Sequence, residues 1–271
     1  MQTESDMYQD TVRILWNHQI GPGYFQMGVT CRPKYAASVP GQFVMLKLPD
    51  QITPLLRRPF SIHGLLSSSG RVFGLEILYK VVGEGTRKFS RCREGETLDL
   101  IGPLGNGFTV SGSERRIFMA AGGIGVAPMR FLAEFLTEKG FDPSAVTLFL
   151  GGRSRGDLLC KEAFADLGIS VFTTTDDGSE GDRCFVTHPL AAAVRQSPPD
   201  RLYACGPSDM LRCVIDLAEA RAVPCEISLE SAMACGVGAC LGCAVANRRA
   251  DGSYFHACID GPVFDSKSIA L

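Results

Sequence analysis

Three cysteines within nine residues, Cys235, Cys240 and Cys243, stand in C-x4-C-x2-C, and Cys258 follows after fourteen intervening residues. No other stretch of this 271-residue chain restricts its folding so tightly. Thiols with a shared task must share one small volume, so the backbone between them has to curl back on itself. The chain holds eleven cysteines, five of them between Cys225 and Cys258. Cysteines used only as small core residues would not bunch in this way. Otherwise the composition is that of a globular chain, with 45% hydrophobic and 21% charged residues. The 27 basic and 29 acidic side chains leave a net charge of −2. That balance gives no overall pull toward nucleic acid or an anionic membrane. The N-terminus, MQTESDMYQD, is polar and acidic and lacks the basic and apolar blocks of a secretory signal. No apolar run reaches the roughly 18 residues of a membrane helix. The expectation is a cytoplasmic chain with reduced thiols, where clustered cysteines serve metal or redox chemistry and not disulfides.

The spacing matches the plant-type [2Fe–2S] loop, in which four thiolates hold two irons. Cys235, Cys240, Cys243 and Cys258 are the expected ligands. Glycines at 236, 238 and 242 let backbone amides approach the sulfurs, and such hydrogen bonds help to set the potential. Structural zinc also takes four thiolates. It usually pairs them as two short C-x2-C-like knuckles, whereas here three ligands share one loop and the fourth is remote.

Three textures follow one another along the chain. Residues 11–16, 24–30, 42–48, 60–65, 71–82 and 97–101 are short runs rich in Val, Ile, Leu and Phe, separated by Gly, Pro and Ser. They predict an antiparallel β-barrel or sandwich. From Arg115 the pattern becomes strand–helix alternation, which argues a parallel α/β sheet. Buried strands are expected at 116–121, 146–150, 170–174 and 201–205. Helical periodicity covers 128–139, 186–195 and 208–221, and a shorter segment at 158–167 continues the alternation. After Val223-Pro224 the chain is rich in glycine and cysteine, with little periodicity. The division read from this is multidomain α+β and α/β: an antiparallel β-barrel over 1–112, a parallel α/β domain over 113–223 and a small cysteine-rich module over 224–271.

Two glycine turns lie at expected strand ends. Gly122-Gly123-Ile124-Gly125 opens onto a helix, where backbone N–H groups and the helix N-terminus suit a phosphate. It lacks the full G-x-G-x-x-G spacing. Cys205-Gly206-Pro207 ends a second strand, and ligands of open α/β sheets sit outside such carboxyl ends. In the barrel region, Arg58-Pro59-Phe60-Ser61 begins a strand. Its guanidinium suits a pyrophosphate and its serine could present a hydroxyl to a ring system. Leu78-Tyr79-Lys80 and Gly85-Thr86 are placed on the following hairpin, the latter able to meet a phosphate by N–H and hydroxyl. Arg153 and Arg155 suit a ribose 2′-phosphate and Asp176 and Asp177 a free 2′-hydroxyl, so these signals oppose each other.

These motifs resemble the ferredoxin–NADP reductase superfamily. Arg58-Pro59-Phe60-Ser61 is similar to its Arg-x-Tyr-Ser flavin motif, with Phe60 in place of tyrosine. Gly85-Thr86 is similar to its phosphate turn, residues 122–128 (GGIGVAP) to its nicotinamide-domain turn, and Cys205-Gly206-Pro207 to its Cys-Gly-Pro turn. Within the superfamily, LYKVVGEGT at 78–86, GPLGNGF at 102–108, ESAMACGVGACLGC at 230–243 and CIDGPVF at 258–264 resemble the electron-transfer subunits of NAD-linked dihydroorotate dehydrogenases. The resemblance implies FAD, one [2Fe–2S] cluster and NAD. It also implies an FMN-containing catalytic partner subunit, in a heterotetramer of two copies of each chain. Electrons from dihydroorotate would pass through FMN, cluster and FAD to NAD+, a step in pyrimidine biosynthesis that occurs only with the partner present. Arg58 and Thr86 are then expected at the pyrophosphate, Ser61 near flavin N5, Phe60 or Tyr79 beside the flavin, and Cys205 where the nicotinamide docks.

No residue stands out as a general acid or base, and hydride transfer requires none. His18, His63, His188 and His256 are scattered and read as structural or surface groups. Six cysteines, Cys31, Cys92, Cys160, Cys184, Cys213 and Cys225, fall in no motif. Two other readings remain: a stand-alone, oxygenase-associated or hydrogenase-associated NAD(P)H:acceptor reductase, and a zinc-stabilised binding module without redox activity.

Overall fold

The computed structural model describes residues 7–49, 53, 55–249 and 252–271. The first six residues, part of the N-terminal stretch read for targeting, lie outside the described residues. Six strands close the first unit: β1 (Tyr8–Gly21), β2 (Tyr24–Thr30), β3 (Phe43–Lys47), β4 (Arg58–Ser68), β5 (Arg71–Lys80) and β6 (Thr97–Leu104). They form a closed barrel in the order β1-β2-β5-β4-β3-β6, with antiparallel pairing throughout. Alternation explains the closure. Val12 and Ile14, Met27 and Val29, Val44 and Leu46, Phe60 and Ile62, Leu75 and Ile77, and Leu98 and Leu100 all enter one buried core. A closed barrel has no unpaired edge, so every strand can bury a full inner face.

Leu78, Tyr79 and Lys80 lie on β5, in the expected hairpin with β4, but Gly85 and Thr86 lie beyond it. Residues Glu84–Phe89 form a short helix, α1, instead. Thr86 is the reason: its Oγ1 accepts the N–H groups of Val82 (2.9 Å) and Gly83 (3.1 Å), satisfying donors that a helix start would leave unpaired. A threonine six residues after the end of β5 carries no strong signal of a helix start, so this local capping was invisible to pattern reading.

The second unit is a six-stranded sheet of β7 (Ile117–Gly122), β8 (Val146–Gly152), β9 (Ser170–Thr175), β10 (Arg201–Cys205), β11 (Cys225–Ser228) and β14 (Val263–Asp265). Its order is β14-β11-β10-β7-β8-β9, parallel except for β14 against β11. The helices are α2 (Val126–Glu138), α3 (Lys161–Asp166), α4 (Thr187–Gln196) and α5 (Ser208–Ala220). Ile117, Met119 and Ala121 of β7 pack with α2 on one face, while Phe118 and Ala120 pack with α4 and α5 on the other. Both faces are covered, which is why these strands read as continuous apolar runs.

The C-terminal segment is not a bead on a linker. Its first strand, β11, and its last, β14, extend the sheet, and the small hairpin of β12 (Ala244–Ala246) and β13 (Tyr254–His256) lies between them in sequence. Cys243, Val245, Ala257 and Cys258 share one core with Phe43 and Met45 of the barrel and Phe118 and Ala120 of the sheet. Asn106, just after β6, donates from Nδ2 to the carbonyls of Ile259 and Asp260, both at 3.0 Å, and from its backbone to Gly261 at 2.6 Å. The barrel therefore holds the segment that carries Cys258. All eleven cysteines are free of disulfides, and no helix among the described residues is long and apolar enough to cross a membrane.

The barrel and sheet meet where α2 lies along β4. Phe131 of α2 enters the barrel core. His63 of β4 is fully buried and its Nδ1–H donates to the Ala127 carbonyl at 2.8 Å. A carbonyl only accepts, so the proton sits on Nδ1 and Nε2 faces the Cys160 thiol at 3.8 Å. Arg130 of α2 pairs with Glu76 of β5 and with Glu134 at 2.7 Å. Burial, reinforced by the Arg130 charge and opposed by the Ala127 carbonyl, lowers the His63 pKa to about 3.

A pH dependence follows, with its sign fixed. The unfolded chain protonates His63 near an ordinary pKa of about 6.5, whereas the folded chain does not. Stability from this site is present above about 6.5 and declines as pH falls toward 3. The slope is up to about 1.4 kcal/mol per pH unit. Denaturant titrations between pH 7 and 5 should show that slope in the native chain and a smaller one in His63→Gln.

Candidate redox site

The cysteine loop connects β11 to β12, and its shape comes from left-handed backbone. Gly236 (φ +73°), Gly238 (φ +79°) and Leu241 (φ +57°) all adopt it. At Gly236 a second demand applies: an added Cβ would stand 2.5 Å from Met45 Cγ of the barrel. The folded loop directs amides at sulfur. Val237 and Cys240 donate to Cys235 Sγ, each at 3.4 Å, and Gly238 donates to Cys258 Sγ at 3.2 Å. Burial works to raise the Cys235 thiol, but those amides outweigh it and bring the pKa down to about 6. Cys243 and Cys258 are buried with sulfurs 3.3 Å apart, and burial with the neighbouring Cys243 pushes Cys258 up to about 12. Cys240 is the exposed member. Among the described residues no three candidate ligands already stand at metal-bonding separation. Soft thiolates in an amide-lined loop are nonetheless the donor set that an iron–sulfur cluster takes.

At the C-terminal edge of the sheet, the two glycine turns press on one another. An added Cβ at Gly125 would collide with the Cys205 carbonyl, and one at Gly122 would stand 2.7 Å from Pro207 Cδ. Gly122, Gly123, Gly125, Cys205, Gly206 and Pro207 are thus one feature, formed because β7 and β10 are neighbours in register, Ala121 beside Cys205. Cys205 is 4% exposed, and burial, with the Glu230 carboxylate second, raises its pKa to about 12. It stays a thiol. Glu230 follows β11, reaches solvent with part of its side chain, and is itself raised by desolvation. Pattern reading missed it as a neighbour of Cys205. The pairing of β10 with β11 brings it there, Cys205 beside Ser228, and no local signal could have done so.

On the barrel, Arg58 and Gly85 line one small pocket with Leu46, Leu48, Leu56 and Phe89. Arg57 is locked onto Asp99 at 2.7 Å. Arg58 instead donates to the carbonyls of Leu56 (3.0 Å) and Arg57 (3.1 Å), and pairs with no carboxylate among the described residues. It is the arginine of the pair that keeps charge for an anion. Pro59 and Ser61 are half-buried on the outward face of β4, the face from which His63 bonds the first turn of α2. Phe60 and Tyr79 point inward. Phe60 packs edge-on against Tyr79 and Phe89 at ring distances of 5.7 and 5.5 Å, and the Tyr79 hydroxyl donates to Asn17 at 2.9 Å. Both rings are barrel core. Leu78 belongs to the core between barrel and sheet. Lys80 donates to Tyr24 beside it on the barrel and reaches across the seam to Asp157. The Thr86 hydroxyl is engaged by its own helix start, donating to Gly83 at 3.2 Å.

The C-terminal ends of β8 and β9 lie side by side, with Asp176 and Asp177 donating backbone N–H to the carbonyls of Gly152 and Arg153, each at 3.1 Å. Arg155 is drawn to Glu180 at 3.8 Å.

Gly236→Ala tests the loop geometry. Left-handed strain costs about 1–2 kcal/mol and overpacking against Met45 about 1–3 kcal/mol. Iron and sulfide per chain should fall at least several-fold while bound flavin is retained, measured by metal analysis and absorbance.

The comparisons agree with this arrangement. The family described as the iron-sulfur cluster binding domain of dihydroorotate dehydrogenase B matches residues 230–270, and the oxidoreductase NAD-binding domain matches residues 119–216. The chain is similar to the dihydroorotate dehydrogenase B (NAD(+)) electron transfer subunit of Desulforamulus reducens, 36% identical over 94% of this chain and 95% of that protein. It is 38% identical to the one from Bacillus velezensis, over 86% of this chain and 87% of that protein. Among solved structures, that of an NADH-dependent reduced ferredoxin-NADP oxidoreductase superposes with a TM-score of 0.80 at 27% identity, covering 96% of this chain and 89% of that one. A Neisseria gonorrhoeae ferredoxin NADP+ reductase with bound FAD and NADP shares the fold, with a TM-score of 0.64. The matched NAD-binding and cluster-binding segments follow the barrel in chain order, and the chain belongs to the family of dihydroorotate dehydrogenase B (NAD(+)) electron transfer subunits.

Proposed function

We propose that this chain carries electrons between an FMN-containing dihydroorotate dehydrogenase catalytic subunit and NAD+, through one [2Fe–2S] cluster and FAD. The observation that supports the reading is the core shared by barrel, sheet and cysteine loop, which packs the three parts directly against one another. When bound, FAD exchanges a hydride with the nicotinamide and single electrons with the cluster.

The chain's own residues have the following tasks. Arg58 holds the flavin pyrophosphate, with Gly85 at the same pocket. The hydroxyl of Thr86 is spent on the α1 cap, so Thr86 acts through that helix start and not as a direct phosphate donor. Ser61, on the outward face of β4, presents its hydroxyl toward the flavin edge nearest the sheet. Phe60 and Tyr79 stiffen the barrel wall behind the flavin. Gly122, Gly123 and Gly125 leave room for the dinucleotide phosphates at the start of α2. Cys205, Gly206 and Pro207 form the floor for the nicotinamide, with a neutral thiol there and Glu230 alongside. Cys235, Cys240, Cys243 and Cys258 ligate the cluster. Cys240, Leu241 and Ile259 are exposed around it, which suits the surface where electrons enter from the partner. The domains are taken as 1–112, 113–223 and 224–271, the last contributing two strands to the nicotinamide-binding sheet. The working form is a cytoplasmic heterotetramer of two copies of each subunit.

Co-expression with the catalytic subunit tests this directly. Dihydroorotate-dependent NAD+ reduction should appear only when both chains are present, with one FAD and two irons per copy of this chain. Turnover of a small ferredoxin by this chain alone, with no stable partner, would instead establish the acceptor-reductase reading. Arg58→Ala should lower FAD affinity by about tenfold or more, since a charged hydrogen-bond donor is worth about 1.5–3 kcal/mol. Fluorescence titration of the apoprotein measures it.

A further inference from the structure

One polar cluster on the seam between barrel and sheet has no place in the tasks above. Tyr24 begins β2 and Lys80 ends β5, and the two are paired in register. Lys80 Nζ donates to the Tyr24 hydroxyl at 2.7 Å, and that hydroxyl donates to Asp157 Oδ1 at 2.5 Å. Lys80 is itself 3.6 Å from the same oxygen. Asp157 is on the other unit, in the loop that follows β8. Its second oxygen, Oδ2, accepts the backbone N–H groups of Arg153 (3.2 Å) and Ser154 (3.3 Å).

The carboxylate therefore faces two ways. One oxygen shapes the loop at the carboxyl end of β8, where an open α/β sheet reads its dinucleotide. The other is anchored on the barrel that holds the flavin. The Tyr24 hydroxyl also lies at the mouth of the other dinucleotide turn, 4.0 Å from where a Cβ on Gly123 would stand. Burial favours the neutral form of Asp157, but the hydrogen bonds from Tyr24 and Ser154 and the Lys80 charge outweigh it, so the carboxyl is held below the usual range. Burial and Asp157 together keep the Tyr24 phenol protonated. Donor and acceptor are thus fixed in one direction, from Lys80 through Tyr24 to Asp157.

We propose that Tyr24 and Asp157 are positioning residues for hydride exchange between NAD and the flavin, tying the dinucleotide loop of the sheet to the flavin barrel so that the nicotinamide is oriented across the seam. Neither touches the reacting atoms. With both groups bound, a hydride carrying two electrons would pass between nicotinamide and flavin, oxidising one as it reduces the other, and this bridge would set only the geometry of that transfer. Small misplacements are costly in such a transfer, because a shift of about 1 Å can lose about 100-fold in rate. The proposal rests on the electron-transfer reading, and the test separates the two.

The test is anaerobic stopped-flow reduction of the FAD by NADH, in the full chain complexed with its catalytic partner. Tyr24→Phe keeps the ring and its packing while removing the hydroxyl, and Asp157→Asn keeps the shape while removing the charge. The limiting rate at saturating NADH should fall about tenfold in each, with the NADH dissociation constant changed less than about threefold and FAD per chain unchanged. The double variant should be no slower than the slower single, since both remove one bridge. Unchanged limiting rates, an effect confined to the dissociation constant, or losses that multiply in the double variant would each overturn the proposal. A native complex whose flavin NADH fails to reduce would overturn the electron-transfer reading and the proposal with it. A native flavin that is reduced at normal rates, beside unaffected variants, would overturn the positioning role alone.

Discussion

The cysteine loop stands against the barrel at Gly236 and Met45, and the rest of the molecule is arranged to make that approach possible. The loop belongs in sequence to the end of the chain and in space to all three parts. β11 and β14 anchor its ends in the sheet, Asn106 holds its final segment to the barrel, and Met45 leaves room for a glycine and nothing larger. Electron transfer between bound groups requires them to be close and still. A loop clamped between two rigid units meets that requirement better than a separately tethered domain would.

The seam between barrel and sheet joins apolar packing, Phe131 in the barrel core and Leu78 in the sheet core, to a set of polar contacts. His63 on Ala127, Arg130 on Glu76, and Tyr24 on Asp157 are directional contacts with defined partners. An apolar seam would resist separation but tolerate sliding. Directional bonds fix the angle, and angle matters when a hydride must pass between groups held on opposite sides. The neutral state of His63, enforced by burial, keeps one of these contacts in a single form at neutral pH.

Much of the architecture was legible in the chain itself. Strands 24–30 and 201–205 agree with the expected bounds, and the alternation from Arg115 onward matches four strands and four helices of the sheet. These elements bury regular faces, so their periodicity is written locally. The short α1 escaped because one threonine hydroxyl sets it. The strand character of 225–228 and 263–265 escaped because three- and four-residue strands carry too few alternations to register.

By itself the sequence determined the chemistry: four thiols at cluster spacing, two glycine turns at strand ends, and an arginine beside a strand start. Each is local, since the residues concerned lie within one short segment or repeat a known spacing. Only the tertiary structure decided how those parts are used. It chose Arg58 over Arg57 by giving Arg57 to Asp99, turned Phe60 and Tyr79 into the barrel core, engaged the Thr86 hydroxyl in a helix cap, and brought Glu230 to Cys205. It also joined Tyr24 to Asp157 across 133 positions of chain. Contacts of that span depend on which strands become neighbours. That is settled by the packing of whole faces, and no single segment encodes it.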